Sequence, residues 1–540
     1  MCFGFTLTAQ NYPKHYFSSV LNIPLYPSAS FGEIRPNHFH SGIDIRTNER
    51  TGYPVFSPAD GYISRIKVQA SGGGKNLYVN HPNGYTTVYM HLERYAPEIE
   101  QYLKEYQYSH HRYEVDINLS PDKIKVKRGQ TIGYTGNTGG SGGPHLHYEI
   151  RTTSNQETIN PLLFSFPIND TIPPFFANIM VKGDDYISVK RPYDTVIAKG
   201  NEFYICIEGY DKAQNSTNRL GVYSTEVFCD NELMYRCNIS KFLFSQTRDV
   251  NAITDFRAYI EQGRTMLMTK KLRKNNFPSL YYKENGILKA YSSHIYTIRC
   301  IQKDFFGNQS DFVFFLKAVW SDVSLNSNDS GTTLFDCEDE NVYTFADKST
   351  IKVPKGALYD DYIVSDKAKY DFKTSYYIPK SNLIPLKKSI SVSLNAAKIP
   401  QHLRSKALIT RNGSSIGGSS QGNFIQTTSS AFGRFAIAID TISPLISPQN
   451  FTDKRRLSPD QMTLSLKITD KLSDIATYNG WLNGRWILFE YDKKRSVITF
   501  DLHELFIDDP VLLNDGKNVL KVEVADKKGN ITTAEYTIIK

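Results

Sequence analysis

The sequence predicts a mainly β chain, an antiparallel β-sheet domain followed by β-sandwich domains, and three observations predict it. Aromatic residues make up 13% of the chain, with 35 Tyr and 31 Phe, and β-branched residues recur in short runs, a composition that suits pleated, half-buried surfaces. The runs Tyr53–Phe56, Gly61–Val68, Asn76–Asn80 and Tyr85–Met90 are separated by turn residues at Pro58-Ala59-Asp60-Gly61 and Pro82-Asn83-Gly84, the pattern of an antiparallel sheet. Later runs, among them Tyr296–Ile301 and Val519–Val524, alternate as sandwich strands do.

At 540 residues the chain has room for roughly three or four domains of about 100–200 residues each. Residues 1–10, MCFGFTLTAQ, are read as the remnant of a signal peptide. A small-residue cleavage site falls near Ala9, but the charged n-region is missing. A frayed apolar tail is the other reading of this segment. Residues 11–168 form the first expected domain. Within it, residues 96–111 break the β pattern: Pro97 suits a first helical turn, and Ile99, Tyr102, Leu103 and Tyr106 recur at helical spacing. This segment is expected to be a helical insertion, and His110 and His111 at its end are expected to be solvated.

The stretches FPINDTIPP (166–174) and IAIDTISP (437–444) are turn-rich joints. They divide the remainder into immunoglobulin-like sandwiches over 169–320 and 441–540 and a β-rich unit over 321–440. The segment NGSSIGGSSQGN (412–423) is too rich in Gly and Ser for a core and is expected to be an exposed turn or loop. Three Asp-x3-Asn segments, Asp211/Asn215, Asp304/Asn308 and Asp526/Asn530, are expected to be tight turns, because one segment alone supplies too few oxygens for a calcium ion. The aromatic run NGRWILFE around Trp486 is expected to fill a sandwich core.

The net charge of +8 is mild and dispersed, which argues against a nucleic-acid partner. No run of about 18 apolar residues exists, so no transmembrane segment is expected. Cys206, Cys229, Cys237 and Cys300 fall in one unit without a CxxC pair, so disulfides and buried thiols both remain open.

The chemistry concentrates in HFHSGID (38–44) and GYTGNTGGSGGPHLHYEIR (133–151), with Met90-His91-Leu92 between them. A period of two places His145 and His147 on one face of a strand and Leu146 and Tyr148 on the other. Catalytic zinc takes three protein ligands and keeps a fourth position open. His40, Asp44 and one histidine of the pair fit that count. The glycines before Pro144 suit a flexible loop lining an extended groove.

The order HFHSGID, YMHLE and GNTGGSGGPHLHYEIR resembles the lysostaphin/LytM-type zinc metallopeptidases over roughly residues 30–165. Carried over residue by residue, the resemblance implies one Zn²⁺ held by His40, Asp44 and His147, with His91 and His145 as the non-ligand catalytic pair. Which of the two moves the proton stays open. The implied activity is zinc-dependent endopeptidase cleavage of peptidoglycan stem peptides or cross-links for cell-wall remodelling, in a periplasmic or secreted protein. The alternative is a catalytically restrained cell-wall-binding scaffold or activator with a regulatory envelope partner. His38, Arg35 and Asn137 are further candidates for supporting a ligand or holding substrate, with pairing to Glu33 the other reading of Arg35.

Overall fold

A computed structural model describes residues 11–214, 216–291, 294–320, 332–365, 375–379, 381–502 and 513–540. Residues 1–10, read above as a signal remnant, and Asn215 lie outside the described residues.

The first unit is built on one antiparallel sheet. Its main path runs Pro27–Ala29, Ile43–Arg46, His145–Thr152, Tyr85–Leu92, Lys75–Asn80, Gly61–Val68, Val115–Asn118. Strand His145–Thr152 is central, and both its faces are covered. Leu146, Tyr148 and Ile150 are fully buried on one face, while His147, Glu149 and Arg151 are buried on the other. A period of two makes the first face apolar and the second polar, so the polar face must satisfy its own hydrogen bonds. A small sheet of Pro54–Phe56, Thr131–Tyr134 and Arg94–Tyr95 closes one end.

The expected helical insertion is helix Pro97–His110, with Pro at its start and Ile99, Leu103 and Gln107 on its buried face. His110 and His111 are exposed. The helix ends at His111, whose φ of 48° lies in the left-handed region and turns the chain back toward Val115.

Two sheets over Phe175–Val319 and two over Leu445–Ile539 pack as sandwiches. The strands between Thr332 and Ile439 form separate sheets around a core of their own. The first sandwich carries short helical segments at Phe244–Asp249, Val250–Ile253 and Phe256–Gln262, which strand periodicity does not disclose. The Gly- and Ser-rich stretch 412–423 is exposed, but Ser414–Ser415 and Ser419–Gln421 pair with neighbouring strands. Backbone pairing there needs no apolar side chains, so composition alone understated its order. Cys206, Cys229, Cys237, Cys300 and Cys337 are free thiols. Asn308 and Asn530 each donate a backbone N–H to the aspartate four residues earlier, as tight turns do. No helix among the described residues is long and apolar enough to cross a membrane.

The flanking units are fastened to the first. Thr158–Ile159 pairs with Lys241–Phe242, carrying the main sheet into the first sandwich. Phe39, between the histidines of HFHSGID, packs on Phe242 and Phe277 of that sandwich. The last sandwich leans on the helix: the Trp486 ring meets those of Tyr108 and His111, while Ile487, Leu488 and Phe489 are buried in its core. Beside them the Lys75 ammonium, buried in the first unit, donates to both oxygens of Glu490 at 3.0 Å, and Lys104 from the helix adds a third bond.

Burial alone would raise the Glu490 pKa, but the charges of Lys75 and then Lys104 outweigh it and hold the carboxyl at about 2. A depressed pKa contributes stability above the ordinary value of 4.5, and that contribution is lost as pH falls toward 2. Hydrogen exchange across strand Glu490–Asp492 is therefore expected to accelerate between pH 4.5 and 2, and Glu490→Gln should remove most of that pH dependence. Equal pH dependence in both proteins would contradict the assignment.

Candidate metal centre

Strand pairing brings the two motifs together. Asp44 lies directly opposite His147 in the antiparallel register, and opposite residues share a face. Gly42 makes the close approach possible, because a Cβ there would stand 2.3 Å from the carbonyl oxygen of Tyr148.

His40 Nε2, His147 Nδ1 and Asp44 Oδ1 form a triangle. The edges are 3.0 Å from His40 to Asp44, 3.0 Å from His40 to His147 and 2.8 Å from His147 to Asp44. All three residues are buried. The outer nitrogen of each imidazole already has an acceptor: His40 Nδ1 lies 2.7 Å from the Ser30 carbonyl oxygen, and His147 Nε2 lies 2.9 Å from Glu149 Oε1. Each ring therefore places its N–H outward and its lone pair inward. Two ring nitrogens and a carboxylate oxygen then converge at hydrogen-bond range, close enough that only a shared proton or a metal cation can hold them together. Such a set requires a cation, and donors about 3.3 Å apart are what a tetrahedral zinc with bonds of about 2.0–2.1 Å spans. The residues fit a divalent metal.

The charges agree. Burial raises the Asp44 pKa, but the His40 charge and hydrogen bonds from His145, His147 and His40 outweigh it and hold the carboxyl well below its ordinary value. Burial lowers His147, yet its bonds to Asp44 and Glu149 raise it to about 9. A proton there does what a metal ion does in the same place. His40 is lowered, chiefly by burial. Glu149 is fully buried and is held at about 2: burial raises it, and the Arg151 charge and the His147 bond prevail.

His91 and His145 stand beside this triangle. His145 Nε2 is 3.5 Å from Asp44 Oδ1, while its Nδ1 lies 2.8 Å from the Gly143 carbonyl oxygen and 3.2 Å from Ser141 Oγ. The His91 ring is 4.8 Å from that of His145 and 6.1 Å from that of His147, centre to centre. Its Nδ1 lies 2.8 Å from the Thr138 carbonyl oxygen. Burial and then the charges of His145 and His147 push its pKa down to about 3, so its ring is neutral. His91 also has a φ of 63°, a left-handed conformation that costs about 1–3 kcal/mol in a non-glycine residue and recurs at functional sites.

The glycine-rich loop behaves in two parts. Gly139, with φ of 71°, presses so close to Gly74 that a Cβ would stand 2.3 Å from its nitrogen, whereas Gly142 and Gly143 have open space around the Cβ position. The first half is thus fixed against the segment 72–74 rather than flexible.

Of the remaining candidates, Arg35 pairs with Glu33 and also donates to Asp44 Oδ2 at 3.0 Å. His38 departs from the expected supporting role. It is exposed, with Nδ1 2.9 Å from the Pro36 carbonyl oxygen, because the hairpin Ile34–Arg35/His38–Phe39 turns it away from His40. Asn137 accepts from Lys494 of the last sandwich. Sequence reasoning missed Glu149 and Arg151, although the period of two in HLHYEIR puts both on the face of His147.

With this geometry in hand, comparison with known proteins is direct. The model of the family described as Peptidase family M23 matches residues 38–108 and 100–161, and a Zu5-like domain model matches residues 332–440. An uncharacterized metalloprotease of Haemophilus influenzae is 35% identical over 136 residues, 25% of this chain and 22% of that protein. DD-carboxypeptidase/endopeptidase Mpg of Neisseria meningitidis is 33% identical over 128 residues, 24% of this chain and 23% of that protein. The chain thus spans less than a quarter of the length of these curated relatives. The catalytic domain of lysostaphin from Staphylococcus simulans aligns at 25% identity over 26% of this chain and 91% of that one, with a TM-score of 0.20, too low to carry weight. The triangle of His40, Asp44 and His147, the flanking histidines and most of the sheet that holds them lie in the matched stretch, and residues 38–161 of this chain are similar to peptidase family M23.

Proposed function

We propose that this chain is a zinc-dependent endopeptidase that hydrolyses peptide bonds in peptidoglycan stem peptides or cross-links, working in the periplasm or outside the cell. The observation that carries the proposal is the convergence of three buried lone-pair donors at 2.8–3.0 Å, flanked by two further imidazoles. The names of the relatives give the substrate class, among them the peptidoglycan DD-endopeptidase ShyA of Vibrio cholerae, 28% identical over 134 residues.

In this reading His40, Asp44 and His147 hold the zinc, which when bound supplies Lewis acidity that polarises a peptide carbonyl and lets water attack at neutral pH. The side chains do the rest. Ser30 and Glu149 fix the His40 and His147 rings so that their lone pairs face inward, and Arg35 orients the Asp44 carboxylate. His91 points Nδ1 at the Thr138 carbonyl oxygen and His145 at that of Gly143; Nε2 of His91 is thereby left as a proton acceptor, while Nε2 of His145 faces Asp44 Oδ1. In this reading one of the pair takes the proton of the attacking water and returns it to the leaving amine, while the other orients the nucleophile or steadies the developing oxyanion.

Purified sacculi incubated with the wild type should release cleaved cross-link peptides detectable by mass spectrometry, and wild type with chelator or His147→Ala should release none. Binding to sacculi without release by the wild type would instead favour a restrained scaffold. A second outcome concerns Glu149: Glu149→Gln removes the charge behind His147 and should weaken metal binding about tenfold or more in competition with a chromophoric chelator. Unchanged affinity would show that the buried carboxylate serves only the fold.

A further inference from the structure

The two non-ligand histidines share one support. His91 Nδ1 is bonded to the Thr138 carbonyl oxygen, and His145 Nδ1 to the Gly143 carbonyl oxygen with Ser141 Oγ beside it. Both rings are therefore aimed by the loop 137–143. Ser141 Oγ in turn donates to the Gly143 carbonyl at 2.7 Å, which ties the second half of the loop to itself where the glycines leave open space.

That loop is gripped from the last sandwich, some 350 residues away in sequence. Lys494, in the turn between strands Glu490–Asp492 and Val497–Asp501, donates its ammonium to the Asn137 carbonyl oxygen at 2.6 Å and to the Ser141 carbonyl oxygen at 3.0 Å. These two carbonyls bracket the loop. Glu490, at the start of the same hairpin, holds the buried Lys75 ammonium. The Lys75 backbone N–H donates to Thr138 Oγ1 at 3.0 Å, and Thr138 Oγ1 donates to the Leu92 carbonyl oxygen at 2.8 Å. One hairpin thus touches both ends of the support: Lys494 acts on the segment that aims His145, and Glu490, through Lys75, on the residue that aims His91. The second half of the loop, where Gly142 and Gly143 have open space, has conformations to lose, and the charge-assisted bond from Lys494 to the Ser141 carbonyl selects one of them.

We propose that Lys494 is a positioning residue of the peptidase, and that the last sandwich completes the catalytic apparatus by holding the loop that orients His91 and His145. The inference rests on the peptidase reading above. It gives the distant sandwich a defined task, the opposite of restraint, since removing the grip frees the histidines rather than unblocking them. The lysine bonds to loop atoms of Asn137 and Ser141 rather than to His40, Asp44 or His147, so its loss misplaces the proton-transfer groups without emptying the site. A misplacement of about 1 Å costs up to about 100-fold in rate.

The test uses the full chain on a purified cross-linked muropeptide, with kcat and KM measured separately for wild type, Lys494→Ala, Lys494→Arg and the neighbouring control Arg495→Ala. The expected result is a drop in kcat of about tenfold for Lys494→Ala with little change in KM or metal content. Lys494→Arg, which keeps the charge and the donors, should recover most of it, and Arg495→Ala should match wild type. Equal or higher kcat in Lys494→Ala overturns the inference. A wild type without turnover is a failure of the peptidase reading instead. The positioning claim is then decided by the imidazole NMR signals of His91 and His145, which should shift in Lys494→Ala and not in Arg495→Ala; unmoved signals overturn it.

Discussion

One strand register underlies the metal centre: Asp44 opposite His147 in the pairing of Ile43–Arg46 with His145–Thr152. A slip of one residue would send every side chain of the strand to the other face, burying His147 among apolar residues and turning Leu146 toward Asp44. The register is held from both sides. Leu146, Tyr148 and Ile150 fill the core, and Glu149, bonded to Ser41, His147 and Arg151, closes the polar face. The same hydrogen bonds that make burial of that polar row tolerable also orient the ring of His147. Stability and chemistry here rest on one set of contacts.

Around this strand the supports become progressively more distant. Ser30 follows strand Pro27–Ala29, and Arg35 comes from the hairpin that leads into His40. Phe39 is anchored in the first sandwich, so the neighbouring unit fixes the strand end from which His40 projects. The loop 137–143 is fixed at Gly139 by the segment 72–74 and at Asn137 and Ser141 by Lys494. The site belongs to the first unit in sequence but draws its rigidity from three. That arrangement suits chemistry that needs imidazoles held within a fraction of an ångström.

Much of this was legible in the sequence because the governing signals are local. The period of two in HLHYEIR predicts a strand with its histidines on one face, Pro97 and the spacing of Ile99 and Leu103 predict the helix, and the strands at Gly61–Val68 and Tyr85–Leu92 fall between recognisable turns. The joint occurrence of His40, Asp44, His91, His145 and His147 points to metal chemistry for the same reason. The rest depends on contacts between residues far apart. Nothing in the sequence near Lys494 or Glu490 says that they meet residues 137, 141 and 75, because polar contacts between residues hundreds of positions apart leave no periodic trace. His38 looked equivalent to His40 on an extended segment, but a tight hairpin separates them. Glu149 is within reach of the period-two argument, because a residue two positions after His147 on a strand lies on the same face.

The most direct test of the account is the metal content of the purified full chain by inductively coupled plasma mass spectrometry, alongside Asp44→Ala and His40→Ala variants whose circular dichroism matches wild type. The account predicts about one zinc per chain in the wild type and far less in either variant, because each loses one of only three protein donors. Wild-type protein that takes up no metal, or variants that retain a full equivalent, would contradict a metal centre at these residues.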